Sequence, residues 1–110
     1  MILSLKKIAP ILNAKWHGIS ENTFIDNISI DSRSLQNGER TLFFALVGTN
    51  NDAHLYISSL INEGVQNFVV THIPDNLEKK ANYLVVENTL VAFQQFATYY
   101  RQLFNFRVKS

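Results

Sequence analysis

Apolar residues gather in three continuous runs along this chain. They are Leu42-Phe43-Phe44-Ala45-Leu46-Val47, Phe68-Val69-Val70 and Tyr83-Leu84-Val85-Val86. Runs of this length without alternation suit strands covered on both faces, the habit of parallel sheets. Between the first two, Ile57, Leu60 and Ile61 form one stripe at helical spacing, which predicts a helix from about Ala53 to Glu63. Gly64 then supplies the left-handed residue that ends helices. Strand, helix and strand in this order form a crossover unit, which is nearly always right-handed. A polar connection from Pro74 to Ala81 leads to the third run.

After it, Asn88 or Thr89 caps a long helix over Leu90–Phe104. Leu90, Phe93, Ala97, Tyr100 and Phe104 fall on one side, widened by Phe96, Tyr99 and Leu103. Gln94, Gln95, Thr98, Arg101 and Gln102 take the other side. Each large apolar side chain fully buried contributes about 1.5–3 kcal/mol, so this helix is expected to lie on the sheet as part of the core.

The first third is less regular. Ser4 to about Ala14 predicts a helix, with Ser4 accepting a first-turn amide and Leu3 stapled to Ile8 across the cap. Pro10 removes a donor and crowds the preceding turn, so the helix is expected to be short or kinked. Two strands follow, near Lys15–Ile19 and Ile25–Ile30. In the second, Ile28 and Ile30 alternate with Asn27 and Ser29. The whole predicts one α/β domain spanning 1–110: three small layers around a mixed, mostly parallel sheet.

Composition narrows the function classes. With 46% hydrophobic and 17% charged residues among 110, the chain can build a single core. The formal net charge is +1 and the basic residues are scattered, so no nucleic-acid partner is expected. Cysteine is absent, which excludes disulfides, thiolate metal sites and thiol nucleophiles. The start, Met1 to Lys7, lacks the pattern of a signal peptide, and no apolar run approaches the ~18 residues of a membrane span. A cytoplasmic protein without a membrane partner is the expectation.

Several catalytic signatures are missing: no G-x-x-x-x-G-K-[ST] phosphate loop, no G-x-S-x-G elbow and no H-E-x-x-H pair. No catalytic residue and no metal ligand is assigned. His17, His54 and His72 lack metal spacing; His54 draws notice for its place at a helix start. Two loops remain as candidates, Asp31-Ser32-Arg33 after a strand and Gly48-Thr49-Asn50-Asn51-Asp52 between a buried strand and a helix. Loops at strand ends of α/β sheets are usual ligand sites, and free helix-start amides suit phosphate. Ser32, Thr49, Asn50 and Asn51 offer hydrogen bonds to a base, sugar or phosphate, and Arg33 can pair with an anion. A turn at Asp31-Ser32, a surface ion pair at Arg33 and a cap at Asn51 or Asp52 account for the same side chains, and on the residues alone this plainer reading is favoured.

At these residues the chain resembles the N-terminal domain of the Mur ligases. The matching pieces are Asp31-Ser32-Arg33, a spacer with Gly38, Leu42 to Gly48, and Asp52-Ala53-His54 opening a helix. Gly64-Val65, Phe68-Val69-Val70 and Val85-Val86 also fit, so the resemblance covers nearly the whole chain. It is strongest to the ligases that add the third residue or the D-alanyl-D-alanine dipeptide to UDP-N-acetylmuramoyl peptides. Thr41 to Leu46 and Asn67 to Val70 look most like the dipeptide-adding ligases fused to an alanine racemase.

The resemblance implies a domain that holds the UDP of a UDP-N-acetylmuramoyl-peptide for cell-wall synthesis and is not itself catalytic. It implies a longer parent whose central domain binds ATP and Mg2+ and whose C-terminal domain meets the incoming amine; this chain itself holds no cofactor. Ser32, Thr49, Asn50 and Asn51 would lie nearest the uridine and diphosphate. Asp31 and Arg33 would shape the first loop, and Asp52 would anchor the second. Where the family usually carries Gly, this chain has Ala53, which is harmless in a helix start and strained at a positive φ. A non-enzymatic, receiver-like α/β module is the alternative; it would want acidic residues clustered at strand ends.

Overall fold

The three apolar runs become neighbouring parallel strands. The computed structural model describes residues 3–20, 23–32 and 38–103. β4 (Asn27–Ser29), β5 (Thr41–Phe44), β6 (Asn67–Val70) and β7 (Asn82–Val85) run parallel, and β2 (Lys15–His17) closes the far edge antiparallel to β7. The sheet order is β2-β7-β6-β5-β4. A separate two-stranded antiparallel pair joins β1 (Leu3–Ser4) to β3 (Phe24–Ile25).

Side chains alternate across the sheet into two cores. Leu42, Phe44, Val69 and Leu84 face α1 (Leu5–Ile11) and α3 (Thr89–Leu103), meeting Leu5, Ile8, Ala92 and Phe96. Phe43, Phe68, Val70 and Tyr83 face the other way, onto Ile57 and Leu60 of α2 (Ile57–Asn62). The result is three layers, α/β/α, with a mixed, mostly parallel sheet, as the hydrophobic pattern predicts.

Several elements differ from expectation. The first helix is short: Ser4 Oγ accepts the Lys7 amide at 3.2 Å, and Pro10 stands one residue from the end. Leu3 and Ile8 both enter the core, consistent with a staple. The strand expected over Ile25–Ile30 is two strands in two sheets. Asp26 breaks it, its amide donating to the Arg40 carbonyl at 3.0 Å and its carboxylate pairing with the Arg40 guanidinium at 3.2 Å. The chain thereby leaves the pairing with Leu3 and takes up pairing with Thr41 to Phe43.

Ala53–Tyr56 is a 3-10 turn that becomes helical only from Ile57, and Gly64 ends α2 at φ +106°. In α3 the buried stripe centres on Ala92 and Phe96, flanked by Phe93, Tyr99 and Tyr100. Leu90, expected on that stripe, is exposed together with Val91. Asn88 is the cap, its Oδ1 accepting the Val91 amide at 3.0 Å.

The N-terminal ends of the parallel strands are tied by polar side chains. Asn27 Nδ2 donates to Thr41 Oγ1 at 3.3 Å, Asn67 Nδ2 to the Thr41 carbonyl at 3.3 Å, and Asn82 Nδ2 to Asn67 Oδ1 at 3.0 Å. Asn82 Oδ1 in turn accepts the Ile19 and Ser20 amides, each at 2.9 Å. Thr41, Asn67 and Asn82 are buried. Gly18 is pressed on this row: a Cβ there would stand 2.7 Å from the Asn82 Cα.

Candidate functional site

Because β4 to β7 are parallel, the segments leaving them emerge at one edge of the sheet. There the chain after β4, Ile30 to Ser32, faces the segment between β5 and α2. Ile30, Asp31, Ser32, Phe43, Asn51, Ala53 and Tyr56 enclose a cleft of about 620 Å3. That lies within the ~300–1,000 Å3 usual for small-molecule sites.

Local hydrogen bonds shape both walls. Ser29 Oγ accepts the Asp31 amide at 3.0 Å and donates to the Asp31 carbonyl at 3.1 Å, curling the chain directly after the strand. On the other side, Val47 and Asp52 form an antiparallel bridge, and the Gly48 amide donates to the Asn51 carbonyl at 2.7 Å. The loop is thus a tight turn with Thr49 and Asn50 at its tip. Tyr56 Oη donates to Asn51 Oδ1 at 3.2 Å, which leaves the Asn51 Nδ2 as a donor.

His54 fastens this turn to the sheet. It is 5% exposed; Nδ1 lies 2.7 Å from Asp52 Oδ1, and Nε2 accepts the Thr71 amide at 3.0 Å, just beyond β6. An amide can only donate, so Nε2 carries no proton and the ring is the Nδ1–H tautomer. Its pKa is held below the ordinary 6.5, chiefly by burial and further by His72, against the opposing pull of Asp52. The contact between His54 and Asp52 is therefore a hydrogen bond from a neutral ring, rather than an ion pair, at neutral pH. The His54 and His72 rings stack 4.4 Å apart at 10°. Asp52 falls below its ordinary 3.8, mainly because its carboxylate accepts the His54 amide.

The structure brings Asp31, Ser32 and Asn51 to one cleft. Thr49 and Asn50 are exposed at the turn's tip, outside the cleft wall. Arg33 lies outside the described residues. One expectation fails: the amides that open the helix are not free for phosphate. The Ala53 amide donates to the Leu46 carbonyl at 2.9 Å, His54 to Asp52 Oδ1 at 2.9 Å, and Leu55 to the Asp52 carbonyl at 3.1 Å. The Asp52 cap consumes the donors and sets a carboxylate where an anion would sit. Ala53, by contrast, is accommodated: it is buried in the 3-10 turn and is not among the residues at positive φ.

Sequence reasoning missed Tyr56, Phe43 and Ile30 as walls of the cleft. An aromatic residue one turn past Asp52 was the available signal for Tyr56. A larger hollow of about 890 Å3 lies between the end of α1, the end of β7 and the start of α3. It includes none of the candidate loop residues. We favour the smaller cleft because both candidate loops meet there. Among the described residues no group of three His, Asp, Glu or Cys could hold a metal ion.

No family model matches the chain. Individual proteins do. The UDP-N-acetylmuramoyl-tripeptide–D-alanyl-D-alanine ligase of Buchnera aphidicola is 36% identical over 100 residues, 91% of this chain and 20% of that protein. The ligase of the same name from Haemophilus influenzae is 34% identical over 103 residues, 94% of this chain and 21% of that protein. A UDP-N-acetylmuramoyl-L-alanyl-D-glutamate–2,6-diaminopimelate ligase of Parabacteroides distasonis is 32% identical over 90 residues, 82% of this chain and 18% of its own length. Among solved structures, the UDP-N-acetylmuramoylalanyl-D-glutamyl-2,6-diaminopimelate–D-alanyl-D-alanyl ligase of Acinetobacter baumannii superposes with a TM-score of 0.79 at 27% identity, over 94% of this chain and 22% of that one. The chain spans about a fifth of the length of the curated relatives it matches. Agreement in sequence along nearly all of its length, and in fold with a ligase of the same group, shows that this chain belongs to the Mur ligase family.

Proposed function

We propose that the cleft between Ser32 and Asn51 receives the uridine diphosphate end of a UDP-N-acetylmuramoyl-peptide. The chain is then the substrate-binding domain of a peptidoglycan-precursor ligase, the one that adds D-alanyl-D-alanine. The observation that carries this reading is the meeting of both candidate loops in one cleft of ligand size. The names of the relatives, each built on a UDP-N-acetylmuramoyl substrate, support it. Uracil offers two carbonyls and one N–H. Ser32 and the Asn51 Nδ2 can donate to the carbonyls, and the Asp31 backbone can meet the N–H or a ribose hydroxyl. Thr49 and Asn50, at the exposed tip, are the residues to follow the diphosphate out of the cleft, with Arg33 as its cation.

The chain binds and orients. Its sequence has no phosphate loop, and ATP and Mg2+ belong to a central domain of the parent, with the incoming dipeptide met by a C-terminal domain. Fixing a remote handle still lowers the barrier, because binding energy at the nucleotide places the reacting carboxylate. The parent is a cytoplasmic enzyme in this reading; no helix among the described residues is long and apolar enough to cross a membrane. Fusion to an alanine racemase is the finer reading, and the coding sequence of the parent tests it.

The test is an NMR titration of the chain with UDP. Amide signals of Ser32, Asn51, Thr49 and Asn50 are expected to move first. Ser32→Ala removes a neutral hydrogen bond of about 0.5–1.5 kcal/mol, up to roughly tenfold in affinity. Shifts centred on Lys79-Lys80 or on the hollow beside α3 would refute the assignment. So would unchanged affinity in a Ser32→Ala, Asn51→Ala double variant.

A further inference from the structure

Three groups meet at the end of β6: a buried imidazole, the carboxylate that caps the next helical turn, and the amide of the residue leaving the strand. We propose that His54 is the positioning residue of the cleft, a neutral strut that holds the Gly48–Asp52 turn against β6 and releases it when protonated. The proposal rests on the uridine reading for its ligand, but the strut itself is a property of the empty chain.

The geometry leaves one arrangement of protons. Thr71 N–H donates to Nε2 and Nδ1–H donates to Asp52 Oδ1, so the ring spans two backbone segments with both nitrogens used. Asp52 is the last residue of the turn, bridged to Val47, and the neighbouring Asn51 forms the cleft wall. A shift of Asp52 is therefore passed to Asn51 and, through the bond from Tyr56, along this wall of the cleft. Protonation of Nε2 sets an N–H against the Thr71 amide. It also adds a charge in a ring stacked on His72. Asp52, from its own turn, and His72, from beyond β6, are the ionisable groups that face the imidazole. Asp52 favours the proton, while His72 and burial oppose it, so the strut stays neutral past the pH at which a free imidazole would charge.

Nitrogen-15 NMR of the wild-type chain reads the strut directly. His54 is expected to show the Nδ1–H pattern at pH 7.5 and to keep it below pH 6.5. When it is lost, the amide signals of Thr71 and of residues 48–52 are expected to move with the same midpoint. UDP-N-acetylglucosamine is the binding probe, since its doubly esterified diphosphate holds its charge through this range. Its affinity is expected to fall roughly three- to tenfold across that midpoint, the effect of one or two lost hydrogen bonds. His54→Phe should bind as weakly at pH 7.5 as the protonated wild type and lose the pH dependence. His54→Gln, which keeps an acceptor for Thr71, should recover part of the affinity without the midpoint.

An Nε2–H or charged ring at pH 7.5 overturns the proposal, as do loop amides that titrate apart from His54. A His54→Phe chain with the wild-type pH profile does the same. If it does not fold, the wild-type titration decides. If the wild type binds the probe at no pH, the uridine reading falls, while the shared midpoint still decides the strut.

Discussion

The two ends of the parallel sheet use the same side chain in opposite ways. At the N-terminal end, Asn67 and Asn82 are buried and fully engaged in a row that crosses the strands. At the C-terminal end, Asn50 and Asn51 stand exposed on a tight turn. A buried amide must satisfy its donors and acceptor inside the protein, and that demand fixes strand register. An exposed amide is satisfied by water and can exchange it for a ligand. One end spends its polar groups on architecture and the other keeps them available, so substitutions at the two ends should separate stability from binding.

The largest effect is expected at Asn82. Asn82→Ala leaves the Ile19 and Ser20 amides and the Asn67 carbonyl oxygen without their partner, a loss of about 2–4 kcal/mol in urea unfolding. Gly18→Ala attacks the same row by overpacking. Its Cβ would meet the Asn82 backbone at 2.7 Å, and about 1–3 kcal/mol should be lost. Wild-type stability in either variant would mean that the row merely accompanies the register.

Acid is the intermediate case, because it acts on the C-terminal end through stability. Burial lowers the His54 pKa below 6.5, so as pH falls past 6.5 the unfolded chain takes up its proton before the folded one. Stability contributed here is whole above that pH and declines as pH falls toward the folded value. The lowered Asp52 pKa adds a second contribution, present above 3.8 and lost as the pH falls below it toward the folded value. Urea midpoints between pH 7.5 and 3 should fall in two stages, and His54→Gln should erase the first. A single loss confined to the carboxylate range would contradict this order. The smallest effect on stability belongs to Asn50→Ala, within about ±0.5 kcal/mol, since the side chain is exposed at a turn tip. Its UDP affinity should nevertheless fall, though less than for Asn51→Ala, because Asn51 alone of the pair walls the cleft. Equal losses would move the diphosphate path into the cleft.

Much of the fold was legible because the central strands are covered on both faces and so appear as unbroken apolar runs. Leu42 to Val47 announces a buried strand without any knowledge of its partners. The split at Asp26 was hidden by reading Ile25–Ile30 as one run, although Ile25 is out of phase with Ile28 and Ile30 and serves a different sheet. Buried Asn67 and Asn82 were equally hidden: asparagine is mostly a surface residue, and only the assembled strand ends supply its partners. At the site, Ser32 and Asn51 could be proposed from loop position, whereas the occupied helix-start amides depend on how Asp52 folds over its own turn.

The placement of β2 beside β7 also has a temporal side. Lys15 lies opposite Val85, so the first edge of the sheet cannot be laid down until the last strand exists. A ribosome working at ~5–20 residues per second needs roughly 4–14 s to make the 70 residues between them (85 − 15). During that interval β2 has no strand to pair with, and α1 lacks Leu84 from the face that it packs on. Closure of this long loop is expected to limit the folding rate, which makes Lys15–His17 the last strand to find its place although it is made long before its partner.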